Sequence, residues 1–317
     1  MTATIERPRV TVAATEEEAA ARTPWRLIVV SVVVGAALAI LWFSDFVDDT
    51  IGGGITSNVL GKDGESFAIT NGLMGAGFAF VTGVAGTFTA CNIAVFGALA
   101  PMIGQKRSVG SHLALVLKPV AWMMGAAMTV AGVYGAIGVY IDGIVPTLSE
   151  TNYGDDLSGR RLQAAVVFST IGVILVWRAL AAIGVVRHPL ARMAERHPRT
   201  DMVLMGALVG AFVIGRPWGT FRNMYEYAGS TDNPIIGFST FALQALGNVF
   251  IVALVFVIVM LLSRGRLERF MTAKPTRLAS LTASSLLVAG TFFILYWGVK
   301  SGARAGGFWW PTLPWQN

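Results

Sequence analysis

Long hydrophobic stretches separated by short polar loops dominate the chain after its first 24 residues. A helix needs about 20 apolar residues to cross the hydrocarbon core of a bilayer. Seven stretches reach that length, at residues 25–43, 67–103, 113–141, 162–184, 202–228, 235–262 and 278–299. The second stretch is too long for one straight span, and Gly215-Arg216-Pro217 interrupts the fifth. We therefore predict an all-α integral membrane protein with about seven transmembrane helices.

The two ends of the chain differ from this pattern. Residues 1–24 are polar and contain Glu16-Glu17-Glu18 among Ala and Thr, which favours a disordered cytoplasmic tail. Residues 301–317 contain Phe308-Trp309-Trp310-Pro311 and Trp315. Because indole rings prefer the boundary between membrane and water, we expect this aromatic tail to lie at the outer interface.

One stretch of sequence occurs twice. Residues 73–88 read LMGAGFAFVTGVAGTF, and residues 204–221 read LMGALVGAFVIGRPWGTF. Both contain L-M-G-A, then F-V-x-G, then G-T-F, with one residue inserted in each gap of the second copy. Their separation is far longer than the period of any solenoid repeat. We interpret the match as a duplicated half-protein.

The loop charges predict how the chain is oriented. Three short loops rich in Lys and Arg follow spans two, four and six, at residues 105–107, 187–199 and 264–277, whereas the intervening loops are acidic. Arg160 and Arg161 are the one basic pair against this pattern. By the positive-inside rule, the N-terminus is cytoplasmic and the C-terminus extracytoplasmic. The expected location is the plasma or inner cell membrane, with multiple passes.

This orientation makes the duplication informative. The first copy opens span two and the second opens span five, three crossings later, so the copies run in opposite directions. We therefore expect an extra N-terminal helix at residues 25–43, followed by a 3+3 inverted-topology repeat at residues 67–184 and 202–300. Secondary transporters often use such repeats, and their sites lie where two broken helices meet.

Composition agrees with a membrane protein and excludes several other classes. The chain has 317 residues, of which 54% are hydrophobic and 13% are charged, about half the usual charged share. The net charge of +6 comes from basic residues in loops between apolar runs, so we predict no nucleic-acid partner. One cysteine excludes an intramolecular disulfide, and no Cys/His metal spacing occurs. No nucleotide-binding loop or hydrolase motif is present, so we expect no cofactor, no metal and no autonomous enzyme.

Glycine-rich breaks in the two copies are the candidate site. The turns G-T-F-T and G-R-P-W-G weaken a helix, and membranes retain such turns only where they are buried in protein or line a polar cavity. Arg216 is an intramembrane charge and is therefore a functional candidate by default, whereas Arg222 and Glu226 can form an i,i+4 ion pair on the outer surface. The candidate substrate-binding residues are Thr87, Thr89, Asn92, Arg216, Thr220, Arg222, Asn223 and Glu226.

Cys91 follows the first glycine-rich turn, and two interpretations of it stay open. Lone membrane cysteines usually behave as small buried hydrophobic residues. Alternatively, Cys91 is a catalytic thiol at the helix break, flanked by Thr89 and by the amide of Asn92.

A cysteine just after a glycine-rich break, within a six-helix inverted duplication, resembles the CcdA/DsbD transmembrane family. The resemblance covers about residues 67–300. It implies transfer of reducing equivalents from a thioredoxin-like partner across the membrane, related to cytochrome c biogenesis. The family pattern has Pro-Cys in the first helix of each repeat. Here Ala90 replaces that proline, and Met224 stands opposite Cys91, so the second cysteine is missing.

Three functions follow from these patterns. The first is a divergent CcdA-like thiol-redox protein, which the lone cysteine weakens because a dithiol relay needs two sulfurs. The second is a transporter or exporter of a small solute, which Arg216 suggests is anionic. The third is a non-catalytic structural or assembly subunit of a larger membrane complex, docking through the extra first helix and the aromatic tail. Membrane lipid is an expected partner in every case.

Overall fold

The structure is a computed structural model of the chain. It describes residues 24–43, 46–61, 64, 66–88, 109–141, 158–187, 193, 196–197, 199–216, 219–263, 275–304 and 309–314. All regular elements in these ranges are helical. Nearly all of the predicted N-terminal tail, and Trp315 of the aromatic tail, lie outside the described residues.

The α-helices are α1 Trp25–Leu41, α2 Gly54–Leu60, α3 Gly72–Ala85, α4 Val109–Tyr140, α5 Gly159–Ala182, α6 Thr200–Gly215, α7 Gly219–Ser230, α8 Pro234–Ser263, α9 Pro275–Phe293 and α10 Lys300–Arg304. A π-helical segment, Phe46–Gly53, precedes α2, and another, Ile294–Val299, joins α9 to α10. A 3₁₀ turn, Gly86–Phe88, continues α3.

The helices confirm an all-helical membrane protein. Four segments are long and apolar enough to cross a bilayer, at Lys118–Tyr140, Gly159–Ala182, Pro234–Val255 and Arg277–Ala303. Helices α6 and α7 form a fifth if they count as one broken span. The other two predicted spans correspond to α1 and α3, which are apolar but only 17 and 14 residues long. The outward-facing valines of α1 are exposed, as expected of a surface that contacts lipid.

Local sequence determines where the broken helices begin and end. Asn71 caps the start of α3, because its Oδ1 accepts a hydrogen bond of 2.9 Å from the backbone N–H of Met74. Helix α6 ends at Gly215 because Pro217 disfavours the helical conformation at the residue before it. Arg216 is accordingly extended, with ψ of 113°. The axis of α7 then lies at 90° to that of α6, so the break predicted at Gly215-Arg216-Pro217 is present.

Helices that are distant in the sequence pack against one another. Helix α3 packs on α8, α6 packs on α4, and α4 and α8 pack on each other, while α9 contacts α5 and α1. Glycines permit the closest approaches. A Cβ atom at Gly83 would collide with the carbonyl oxygen of Gln244 on α8, and one at Gly206 would collide with that of Met123 on α4. These glycines serve close helix packing.

Aromatic side chains fill the space between α5, α6 and α9. The Phe168 ring stacks on Trp297 with 4.7 Å between ring centroids and on Phe293 with 5.5 Å. Phe212 of α6 meets Phe293 edge-on. At the end of the described chain, Trp310 packs against the core, whereas Trp309 is 83% exposed.

Candidate functional site

Arg216 lies at the point where α6 breaks, and its side chain turns into the helix bundle. Only 9% of its surface is exposed. Its Nη1 donates a hydrogen bond of 3.2 Å to the carbonyl oxygen of Gly86, the first residue of the 3₁₀ turn that follows α3. The guanidinium carbon also lies 5.2 Å from the centre of the Phe221 ring, within range of a cation–π interaction. The arginine of the second sequence copy therefore contacts the G-T-F turn of the first.

A side chain at residue 86 would require the Arg216 guanidinium to shift. A Cβ atom there would collide with the Arg216 guanidinium. The next residue, Thr87, is buried, and its hydroxyl donates to the carbonyl oxygens of Gly83 at 3.3 Å and Asn248 at 3.2 Å. The first copy thus presents its backbone and one hydroxyl to the region around Arg216.

A small cavity borders Arg216. Its walls are four apolar residues and three polar ones, namely Val209, Phe212, Val213, Ala245, Arg216, Gln244 and Asn248. The space open to the centre of a water molecule is about 10 Å³, close to the minimum that holds one water. A cation and two carboxamides therefore meet at one water-sized space between α6 and α8.

Gln244 is the polar residue of this cavity whose side-chain amide has no hydrogen-bond partner among the described residues. It is 4% exposed, and its carboxamide makes no hydrogen bond to another described residue. Its amide atoms are not fully enclosed by the protein, so they reach the open space of the cavity. Its carboxamide therefore needs a water or ligand in the cavity to satisfy it.

Gln244 belongs to a polar line along one face of α8. Thr240, Gln244 and Asn248 are spaced four residues apart and are 4 to 5% exposed. Positions i, i+4 and i+8 share one face of a helix. Three polar residues at four-residue spacing within an apolar span are a signal that the sequence itself carries.

Comparison with known proteins does not extend this description. No family model, curated protein or solved structure matches the chain.

The other predicted site residues of the second copy lie on α7. Thr220 is buried, at 2% exposure. Asn223 donates through Nδ2 to the carbonyl oxygens of Gly64 at 3.0 Å and Phe67 at 2.7 Å, so it fastens the loop before α3. This contact gives Asn223 a structural role.

Arg222 and Glu226 form the predicted surface ion pair. Arg222 Nε lies 2.7 Å from Glu226 Oε1, and the two side chains are 35% and 55% exposed. Neither residue borders the cavity beside Arg216. Exposed i,i+4 pairs contribute only about 0.3–0.5 kcal/mol. The pair therefore lies on the exposed face of α7.

Three predicted site residues, Thr89, Cys91 and Asn92, lie outside the described residues. Met224, which the sequence alignment places opposite Cys91, is fully buried. The Thr82 hydroxyl lies 3.4 Å from its sulfur. Within the described ranges, no group of three His, Cys, Asp or Glu side chains is arranged to hold a metal ion.

Proposed function

We propose that this protein transports a small, hydrogen-bonding anionic solute, which binds between α6 and α8 at Arg216, Gln244 and Asn248. One observation carries the proposal: the unpartnered Gln244 carboxamide and the Arg216 guanidinium border the same cavity. A buried amide without a protein partner is costly, so its presence makes sense if a ligand completes it.

The chemistry of the site favours an anion with oxygen acceptors. The guanidinium presents a rigid fork of N–H donors that matches carboxylates and oxyanions. The two carboxamides add donors and acceptors that orient the ligand. The cavity of about 10 Å³ is smaller than such an anion, so binding would require the cavity to enlarge, for example by movement at the α6–α7 break.

The arrangement of the helices supports an inverted-repeat architecture for this transporter. Helix α3 opens the first proposed repeat and packs on α8 of the second. Helix α6 opens the second repeat and packs on α4 of the first. Such an exchange of partners is what a pseudo-two-fold axis relating two halves produces, with the site near the axis. Seven spans and a cytoplasmic N-terminus complete the proposed topology.

The alternative functions rest on other residues. The CcdA-like thiol-redox function depends on Cys91, which lies outside the described residues. The role of an assembly subunit depends on a partner complex. The transporter proposal needs neither, because its site consists of buried residues of this chain.

Uptake into proteoliposomes tests the proposal. The purified full-length protein is reconstituted, and uptake of radiolabelled formate, acetate, phosphate and sulfate is measured against empty liposomes. We expect saturable uptake of at least one anion, and loss of it in Gln244→Leu. The matched control is Ser239→Ala, which removes an exposed hydroxyl from the same helix and should leave uptake unchanged. Uptake of none of the four anions, or full uptake by Gln244→Leu, would refute the proposal.

A further inference from the structure

Three helices meet at one end of the bundle, where aromatic and basic residues lie together. The apolar segment Lys118–Tyr140 of α4 begins at this end. The end of α5 and the start of α6 are joined by Arg178 Nη1, which lies 3.0 Å from Asp201 Oδ1. Trp122 of α4 and Trp177 of α5 are 43% and 50% exposed. Because exposed indole rings prefer the boundary between membrane and water, this end of the bundle lies at that boundary.

The side chain of Arg199, the residue before α6, lies over the indole ring of Trp122. Its guanidinium carbon is 4.8 Å from the ring centre, within range of a cation–π interaction. The helices that carry these side chains are in close contact, since a Cβ atom at Gly206 of α6 would collide with the Met123 carbonyl oxygen of α4. The indole therefore positions a guanidinium at the level of the lipid headgroups.

This guanidinium is available to an external anion. Stacking on a ring uses the face of the guanidinium and leaves the N–H donors at its edge. Arg199 is exposed, and its side chain makes no hydrogen bond or ion pair with another described residue. The nearby acid Asp201 pairs with Arg178 instead. Lys118, also exposed, lies four residues before Trp122 on the same face of α4.

The sequence around this surface is basic. Residues 187–199 contain four arginines and one acid, Glu195. An anionic ligand therefore meets an excess of positive charge here, whereas a cationic ligand would be repelled.

We propose that Lys118, Trp122 and Arg199 form a binding site for the phosphate headgroup of an anionic phospholipid. The guanidinium fork matches two phosphate oxygens, and the ammonium group adds a second positive charge. Basic surfaces between transmembrane helices bind such headgroups. The ligand is a lipid because the exposed part of the Trp122 indole lies at the membrane boundary, where it contacts acyl chains.

Lipid binding to the delipidated full-length protein in detergent micelles tests this proposal. Native mass spectrometry gives the dissociation constants of phosphatidylglycerol and of phosphatidylcholine with the same acyl chains. We expect tighter binding of phosphatidylglycerol. Arg199→Gln should weaken it about tenfold, and Trp122→Leu, which removes the ring that positions the guanidinium, roughly threefold. Arg199→Lys should give an intermediate value, because lysine keeps the charge without the fork.

The matched control is Arg26→Gln, which removes an exposed arginine from the first turn of α1. It should bind phosphatidylglycerol as the wild type does. Equal losses in Arg26→Gln and Arg199→Gln, or wild-type binding by Trp122→Leu, would mean that positive charge alone attracts the lipid and would refute the site. Equal affinity for the two lipids would also refute it. Glycerol phosphate is the headgroup without acyl chains, and its binding as tightly as the lipid would assign the surface to a soluble anion instead. None of these measurements requires transport, so they stand even if the transporter proposal fails.

Discussion

Gln244→Met should make the folded protein more stable while it removes function. Methionine is close to glutamine in length and volume, so the substitution replaces the carboxamide without opening a large void. Gln244 is 4% exposed, and its carboxamide has no hydrogen-bond partner among the described residues. A fully enclosed amide without a partner costs roughly 1–3 kcal/mol, and the Gln244 amide, which still reaches the cavity, loses only part of that energy.

The cavity limits how much of this cost water can relieve. About 10 Å³ holds one water at most, and a carboxamide offers two N–H donors and two acceptor positions. One water therefore satisfies about half of the group. We expect the free energy of unfolding of Gln244→Met to rise by about 1 kcal/mol, which corresponds to a Tm increase of about 2 °C for a chain of this size.

Gln163 provides a control with the opposite expected sign. Its amide donates to Tyr134 Oη at 3.0 Å and to the Ile214 carbonyl at 2.7 Å. Gln163→Met leaves both acceptors without this donor, so we expect a loss of about 1–3 kcal/mol. Thermal unfolding of both variants in the same detergent gives the comparison. If Gln244→Met lost as much Tm as Gln163→Met, the idea of an unsatisfied amide at Gln244 would be wrong.

The remaining predictions concern helix packing, the loop before α3 and the lone thiol. Gly83→Ala should lower Tm by several degrees because its methyl group meets α8 backbone, whereas Gly77→Ala, in open space on the same helix, should not lower Tm. Equal effects of the two would contradict the close packing. Asn223→Ala should cost about 1–2 kcal/mol and speed limited proteolysis of the loop before α3, which it binds; an unchanged digestion rate would contradict this. Cys91→Ser should leave anion uptake at the wild-type level, and a loss of uptake would favour the thiol-redox function.

The helical class and the main interruption were predictable from sequence because both depend on local interactions. The apolar runs predict helices, and Pro217 constrains the residue before it, so α6 ends where expected. The ion pair of Arg222 with Glu226 was predictable for the same reason, since four residues along a helix bring two side chains together. Of the second apolar run, the structure describes residues 67–88, with α3 over Gly72–Ala85.

The composition of the site was harder to predict because it depends on long-range packing. The contact between Arg216 and Gly86 joins residues 130 positions apart, and no local pattern indicates it. Gln244 and Asn248 did leave a signal, their four-residue spacing within an apolar helix. A polar residue in a membrane helix usually faces the bundle interior. By the same rule, Gln244 and Asn248 of α8 are expected to face the bundle interior.

The two central helices differ in what they contribute to the site. The buried face of α8 carries the polar line of Thr240, Gln244 and Asn248, whereas α4 buries Met123 and Ala127 where it meets α6. In the proposed duplication, the two halves therefore share their pattern of helix packing, but the polar and charged side chains of the site come mainly from the second half. The first half contributes backbone carbonyls and a hydroxyl, and the second contributes the cation and the amides.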